Sequence, residues 1–359
     1  MTAGKRRGRL NPSPGSRIHQ GLVGARALIG TPYLADGELR AAYARDIAPR
    51  THAALAKILA DLLTNGHLGA RGNGDRGPRR MLDLGAGTGA AGEAARACFG
   101  GDLDLVSVDK IPVAASVRAA DVTDLASLSR MAGAGGPFDL MVAAHVLNEL
   151  FLDEPEASRP ARLAALLGRW CQSLLADGGA LIVIEPALRE TSRVLLGVRD
   201  QLLAAGLHVV APCFFTGPCP ALLRERDWCH DAAAPAAEPA RPAEREESRA
   251  ARTRPQPRVD FSYLVVRASG EAASDSTLFR VVSDPLPEKG RSKVFVCGIS
   301  GRQPLIRLDR HAAPTNAALD QLARGDVAHI ARTTFAQDGL RVGVDTVISR
   351  PAPIAKKAR

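Results

Sequence analysis

The sequence predicts an α/β protein built on a parallel, Rossmann-like sheet with crossover connections. Three observations predict it. Short apolar runs alternate with helical patterns between residues 80 and 185, and one of those runs ends in a glycine turn that opens an Ala-rich helix. The chain's 359 residues, 46% hydrophobic, suffice for one large domain or two modest ones. Aromatic residues make up only 4%, so the core is to be built from Ala, Leu and Val.

The balance of 47 basic against 38 acidic residues leaves a net charge of +9, which favours a polyanionic partner, nucleic acid or an anionic surface. No run approaches the ~20 unbroken apolar residues of a membrane span. Six cysteines are too few for a secreted disulfide scaffold, and no apolar signal segment opens the chain. The expectation is a soluble, basic, intracellular protein.

Residues 1–36 read as a basic flexible N-terminus. No acid precedes Asp36, while Lys5, Arg6, Arg7, Arg9, Arg17 and Arg26 are present, as in a phosphate-binding arm, a solvated end or an organellar transit segment. Residues 37–78 form a helical segment and a Gly-rich loop. Ala53, Leu55, Ile58, Leu59, Leu62 and Leu63 recur at helical spacing, with an interruption near Pro49. The span 79–230 is the central domain. RMLDL (80–84), LDLVSV (103–108), FDLMVAA (138–144) and ALIVIE (180–185) are its strands, and Leu163, Leu166, Leu167, Trp170 and Leu174 mark one face of a helix between the last two. Residues 231–258, made of Pro, Ala and charge, read as a disordered insertion that buries too little apolar surface to offset its ordering entropy. Residues 259–350 carry the last sheet strand and a small β-rich lobe, and 351–359 a basic tail.

The strand RMLDL runs into Gly85-Ala86-Gly87-Thr88-Gly89, bare backbone that lets a nucleotide-like ligand approach closely. Asp109 closes the next strand, where an acid can accept both hydroxyls of a ribose. The pattern suits NAD and S-adenosylmethionine, and a glycine turn made only for packing is the plainer reading. Two acids favour S-adenosylmethionine. Asp83 precedes the first glycine by two residues, where it can meet the cationic methionine end, and Asp121 follows the short strand SVRAADV, where it can reach the adenine edge. Residues 78–186 thus resemble the class I methyltransferases. After the middle strand, HVLNEL offers His145 as a base, Asn148 as a hydrogen-bond reader and Glu149 beside them. A polar helix start explains these residues equally well, and the Asp/Asn-Pro-Pro-aromatic motif of amino-group N-methyltransferases is missing. No catalytic residue is assigned.

Cys98 and Cys171 sit in Ala/Leu-rich helical patterns as small apolar side chains. Cys213, Cys219 and Cys229 instead crowd into APCFFTGPCPALLRERDWCH, where prolines and Gly217 deny regular structure. Three thiols there suggest metal thiolates, with Cys297 of KVFVCGIS as a fourth ligand. Spacing leaves an iron–sulfur cluster, zinc (with His230 able to replace one thiolate) and plain cysteines all open.

The glycine loop, HVLNEL, CFFTGPC, DWC and a late fourth cysteine together resemble the methyltransferase-like family of mitochondrial small-ribosomal-subunit assembly proteins and its bacterial relatives. The resemblance runs from YARDIAPRTHAALAKIL to the cysteine at 297. It implies a class I S-adenosylmethionine-dependent methyltransferase fold with a cysteine-ligated C-terminal lobe. It also implies a [4Fe–4S] cluster on Cys213, Cys219, Cys229 and Cys297, and binding to the small ribosomal subunit and its rRNA. The cofactor residues it implies are Asp83, Gly85, Gly87, Gly89, Asp109 and Asp121. The Ala/Arg/Gly-rich composition suggests a bacterial, cytoplasmic member, with the mitochondrial matrix as the alternative, and a monomer off the ribosome. Three readings of activity are open: methyl transfer to rRNA, a non-catalytic assembly factor on a methyltransferase fold, and an NAD-linked redox enzyme that uses the cluster for electron transfer.

Overall fold

In a computed structural model, residues 12–68, 78–235, 258–270 and 274–350 are described. The chain opens with helices α1 (Pro14–His19), α2 (Gly37–Asp46) and α3 (Ala48–Thr64). Pro49 sits in the first turn of α3, where its missing N–H costs nothing, so the expected interruption is a helix boundary. Next come β1 (Arg80–Leu84), α4 (Ala90–Phe99), β2 (Asp104–Asp109), β3 (Val117–Ala119), α5 (Leu125–Ala132) and β4 (Phe138–Ala144). Then follow α6 (Arg159–Leu174), β5 (Leu175–Pro186), α7 (Arg189–Ala204), β6 (His208–Ala211), β7 (Asp231–Ala233) and β8 (Val259–Arg267).

These strands form one sheet in the order β3-β2-β1-β4-β5-β8-β6, with β7 also on β8. From β3 to β5 the pairing is parallel, and β8 runs antiparallel between β5 and β6. Both faces are covered. Leu163, Leu166, Leu167 and Trp170 of α6 pack with Leu195, Val198 and Leu202 of α7 on one side. Leu55, Ile58, Leu59 and Leu62 of α3 pack with Ala91, Ala94 and Ala95 of α4 on the other. Alanines of α4 let it lie close to the sheet, as expected for a core poor in aromatics.

Successive strands are laid down on one side of β1 as far as β3 and then on its other side from β4, so the crevice beyond the carboxyl ends of β1 and β4 is the topological switch point where open α/β sheets bind ligands.

Two expectations need correction. Of the segment expected to be flexible (1–36), residues from Pro14 onward fold into α1, a π turn (Gln20–Gly24) and a 3-10 turn (Tyr33–Ala35). Ile18, Leu22, Leu39 and Ala42 make a small core of their own, and that burial outweighs the basic character. Two of its cations are used internally: Arg17 lies 3.9 Å from Asp36 and 3.8 Å from Glu38, and Arg26 donates to Asn148 at 3.3 Å. Lys5, Arg6, Arg7 and Arg9 lie outside the described residues. The stretch expected as a disordered insertion (231–258) begins as strand β7, because Asp231 is buried and answered by Arg280 and by Lys57 at 3.8 Å. Residues 236–257 and the tail 351–359 lie outside the described residues.

The C-terminal lobe has β9 (Leu278–Val281), β10 (Leu286–Glu288), β11 (Arg291–Gly298), β12 (Gly301–Leu308), β13 (Val327–Ala331), β14 (Thr334–Ala336), β15 (Gly339–Val342) and β16 (Val347–Ser349). Its order is β14-β15-β12-β11-β9-β13-β16, with β10 on β11. Phe279, Val294, Val296, Leu305, Ile330 and Leu340 fill its separate core.

Candidate functional site

The glycine turn joins β1 to α4 at the switch point. Gly85, Gly87 and Gly89 adopt φ of +69°, +52° and +90°, a left-handed region that L side chains rarely enter. A Cβ at Gly85 would stand 2.5 Å from Val146 Cγ2, whereas nothing lies within 4 Å of one at Gly89. The turn is thus packed at its first glycine and open at its third.

Asp109, at the end of β2, organises this turn. Its carboxylate accepts the Gly87 N–H and the Ile111 N–H, each at 2.8 Å. Asp83 is buried beneath, accepting the Gly92 N–H at 3.2 Å. Burial, then the charge of Asp109, pushes its carboxyl up to about 7. Glu149, beyond β4, is likewise raised to about 7 by burial and then by Asp109, and it faces Tyr33 of the N-terminal segment. Asp109, on the turn, thus faces two further carboxyl groups, Asp83 and Glu149, each raised by its charge. Asp121 accepts from Thr123 N and Oγ1 at 2.8 and 2.7 Å and lies 3.8 Å from Lys110. Burial would raise it, but Thr123 and Lys110 outweigh that and hold it low.

His145 has φ +61° at the end of β4, and its N–H donates to the Ile184 carbonyl at 2.7 Å. Burial and then Arg50 lower its imidazole to about 4, so it is neutral near pH 7, and its Nδ1 is buried without a partner. Asn148 is a brace: its amide donates to the His145 carbonyl at 2.9 Å and accepts from Arg26. His145, Glu149, Tyr33, Tyr43 and Arg50 line a cavity of about 230 Å³ beneath the N-terminal helices. A neighbouring cavity of about 390 Å³ holds Glu185, buried and pushed up to about 8 by desolvation, beside Arg26 and Arg159.

All four cysteines singled out above, Cys213, Cys219, Cys229 and Cys297, line one cavity of about 40 Å³ together with Pro212, Pro220 and Trp228. Burial pushes Cys219 up to about 11 and Cys229 to about 12, each further raised by neighbouring thiols, and Cys297 is raised by the same causes. Among the described residues, no group of three or more His, Cys, Asp and Glu side chains stands close enough to hold a single metal ion. His230 stacks on Trp228 at 6.1 Å between ring centroids, outside the residues lining this cavity.

The loop between β6 and β7 is held from α7. Arg199, fully buried, donates to the carbonyls of Phe215 and of Gly217, the latter at 2.5 Å. Asp200 accepts the Cys219 N–H at 2.9 Å, and Arg193 reaches the carbonyls of Ala221, Arg224 and Asp227 at 3.2, 2.8 and 2.8 Å. Reading the sequence passed over these residues and Tyr33, Tyr43 and Glu185. The available signal was charge recurring on the side of α7 that its apolar residues would otherwise bury.

The strand order, with one antiparallel strand between the fifth and sixth, and the glycine turn at the switch point define a class I S-adenosylmethionine-dependent methyltransferase fold. The family described as mitochondrial small ribosomal subunit Rsm22 matches residues 38–311, and the chain belongs to that family. Among solved structures, the chain is similar to an O-methyltransferase family protein from Burkholderia thailandensis, at 14% identity over 72% of each chain and a TM-score of 0.35. It is also similar to fibrillarin from Aeropyrum pernix, solved with bound S-adenosyl-L-methionine, at 17% identity, covering 44% of this chain and 68% of that one, with a TM-score of 0.29. A third is the plantazolicin methyltransferase BpumL, solved with SAH, at 13% identity over 48% of this chain, with a TM-score of 0.27. The chain spans 58% of the BpumL chain. No curated protein matches it. Among the described residues, no helix is long and apolar enough to cross a membrane.

Proposed function

We propose that this protein binds S-adenosylmethionine at the β1–α4 turn and acts on the small ribosomal subunit and its rRNA, in methylation, assembly or both. The single observation that carries the cofactor reading is the set of three carboxyl groups, Asp83, Asp109 and Glu149, around a glycine turn at the switch point. S-adenosylmethionine supplies a methyl group on a sulfonium and carries a net positive charge, which relieves the mutual repulsion of these acids. NAD, which brings phosphates, would add to it. On this reading the turn Gly85–Gly89 offers its open end at Gly89 to the cofactor, Asp109 holds the ribose and Asp121 the adenine edge. His145 is neutral and lines the adjoining cavity, where it can accept a proton or orient an acceptor. Family membership supports the small-subunit partner. Bacterial cytoplasm is the expected location, and the mitochondrial matrix is the alternative, which the family's description as mitochondrial supports.

We also assign Cys213, Cys219, Cys229 and Cys297 as ligands of a [4Fe–4S] cluster. A zinc ion needs its thiolates about 2.3 Å from one centre. A four-iron cube is held at its corners by a wider set. Four thiols lining one cavity, on a loop and a strand far apart in the sequence, support the wider set. When bound, the cluster would cross-link the α7-anchored loop to β11. The chain's own part is the loop geometry that Arg193, Arg199 and Asp200 impose.

A non-catalytic assembly factor is the second reading. It is favoured by Leu34, whose Cδ1 stands 3.4 Å from where a Cβ on Gly87 would be, so that the N-terminal segment overlies the turn. Calorimetry with S-adenosylmethionine and with NAD, followed by labelled methyl transfer to immature small subunits, separates the readings. Binding without transfer selects the assembly factor, and binding of neither cofactor removes the cofactor claim. Anaerobic purification with iron, zinc and sulfide analysis tests the cluster: one zinc per chain without sulfide would replace it.

A further inference from the structure

Three strands of the C-terminal lobe set Cys297 between two arginines. Cys297 of β11 stands opposite Arg280 of β9 on one side and opposite Arg302 of β12 on the other. Residues paired directly across strands share a face of the sheet. Val294, Val296, Phe279, Val281 and Leu305 fill the lobe's core, and the alternation along each strand turns Cys297, Arg280 and Arg302 to the opposite face. That face meets the loop between β6 and β7, because Cys229, Cys297, Arg280 and Arg302 all line one cavity.

The loop carries the matching pattern. Asp227 precedes Cys229 by two residues, and Asp231 follows it by two. Residues 227–230 form no helix or turn, and the rings of Trp228 and His230 stack with their centroids 6.1 Å apart. Side chains two apart meet in this way on an extended chain, which turns Asp227, Cys229 and Asp231 to its other side. Asp227 accepts from Arg302 Nη1 at 3.2 Å, and Asp231 accepts from Arg280 Nη2. Acid, thiol and acid of the loop thus lie against arginine, thiol and arginine of the lobe. Both arginines are backed by rings, Arg302 at 4.6 Å from the centroid of Phe295 and Arg280 at 5.5 Å from that of Tyr263. The acids are held from behind as well: the Asp227 carbonyl accepts from Arg193 at 2.8 Å, and Lys57 lies 3.8 Å from the Asp231 carboxylate. Every contact in this arrangement is made by the chain itself.

We propose that the ion pairs Asp227–Arg302 and Asp231–Arg280 form a clasp that seats Cys229 over Cys297 before any metal arrives. Two of the four thiols are then brought together by charge, one from the methyltransferase-fold domain and one from the C-terminal lobe. The four clasp residues are positioning residues, not ligands. The inference rests on the cluster reading only for what the assembled thiols hold. The two halves of the clasp differ. The Asp231–Arg280 pair is buried, where removing one partner strands the charge of the other, whereas the Asp227–Arg302 pair is half-buried. The half-buried pair is therefore the one to perturb.

The test reads thiol proximity in the metal-stripped full chain with phenylarsine oxide, which closes two As–S bonds on two neighbouring thiols and releases one water. Cys213→Ser with Cys219→Ser is the background, leaving Cys229 and Cys297 as the thiols of the cavity. Cys98 and Cys171 lie on α4 and α6, on opposite faces of the first sheet, and offer no second pair. The background protein should take up one arsenical per chain. Adding Arg302→Gln or Asp227→Asn should weaken capture roughly fivefold, and Arg302→Lys, which keeps the cation, should retain most of it. Thermal melts check that each variant folds. No capture by the background protein, unchanged capture in the folded variants, or equal loss in Arg302→Lys and Arg302→Gln would overturn the clasp. Iron and sulfide analysis of the anaerobically purified wild type keeps the two readings apart. Clasp-dependent capture in a chain that loads no iron or sulfide would uphold the clasp and sink the cluster. A loaded wild type whose capture is indifferent to the clasp residues would do the reverse.

Discussion

Asp83→Asn is the sharpest perturbation of the cofactor site, because it should stabilise the empty protein while weakening its ligand. The Asp83 carboxyl is raised from 3.8 to about 7 by burial and by Asp109. A carboxyl with a raised folded value favours folding while it is protonated. That contribution is complete below about pH 4, and it is lost as pH climbs through about 7. The gap corresponds to at most about 4 kcal/mol at pH 8. Asparagine keeps the shape without the charge but turns one acceptor into a donor and weakens the Gly92 contact, which returns about 1 kcal/mol. A net gain of about 1–3 kcal/mol, or several degrees in Tm, is expected at pH 8. At pH 5 the difference should shrink toward zero or reverse. Thermal melts of both proteins from pH 5 to pH 8.5, without ligand, read this directly. The reasoning fails if Asp83→Asn melts below the wild type at pH 8, or if the gap between the two does not change with pH. In calorimetry the same variant should bind S-adenosylmethionine more weakly. The wild type should lose roughly tenfold in affinity between pH 8 and pH 6 for each carboxyl that must ionise, with protons released on binding.

Three further outcomes follow from the same geometry. Gly85→Ala places a methyl 2.5 Å from Val146 Cγ2 at φ +69°, and should cost about 2–4 kcal/mol in a denaturant titration. Arg199→Leu leaves the Phe215 and Gly217 carbonyls without their donor, and should cost about 2–4 kcal/mol while exposing the 213–229 loop to limited proteolysis. Cys219→Ser should lower iron and sulfide per chain below those of the wild type after anaerobic purification, with S-adenosylmethionine binding retained, since the cysteine cavity and the glycine turn are separate sites.

Much of the methyltransferase-fold sheet was legible because its strands are buried on both faces and therefore read as unbroken apolar runs. RMLDL and FDLMVAA are β1 and β4, and Pro49 marks the α2–α3 boundary as the sequence indicated. Strands of the C-terminal lobe were legible only in part, because β13–β16 are only three to five residues long. The N-terminal segment was misjudged because Ile18 and Leu22 are too few to announce a core. Only the partner surface on α2 makes their burial worthwhile.

Residue type and local spacing by themselves determined the glycine turn, the acids two residues before it and one strand on, and the crowding of three cysteines in a loop without regular structure. These properties belong to neighbouring residues, where backbone freedom and short-range geometry decide. The tertiary structure alone decided that Glu149 and Tyr33 join Asp83 and Asp109, that Cys297 faces the cysteine loop, that α7 supplies the cations holding that loop, and that the last strands form a second sheet with its own core. Each depends on contacts between residues far apart in the chain, which form only when packing brings together surfaces that no local pattern describes.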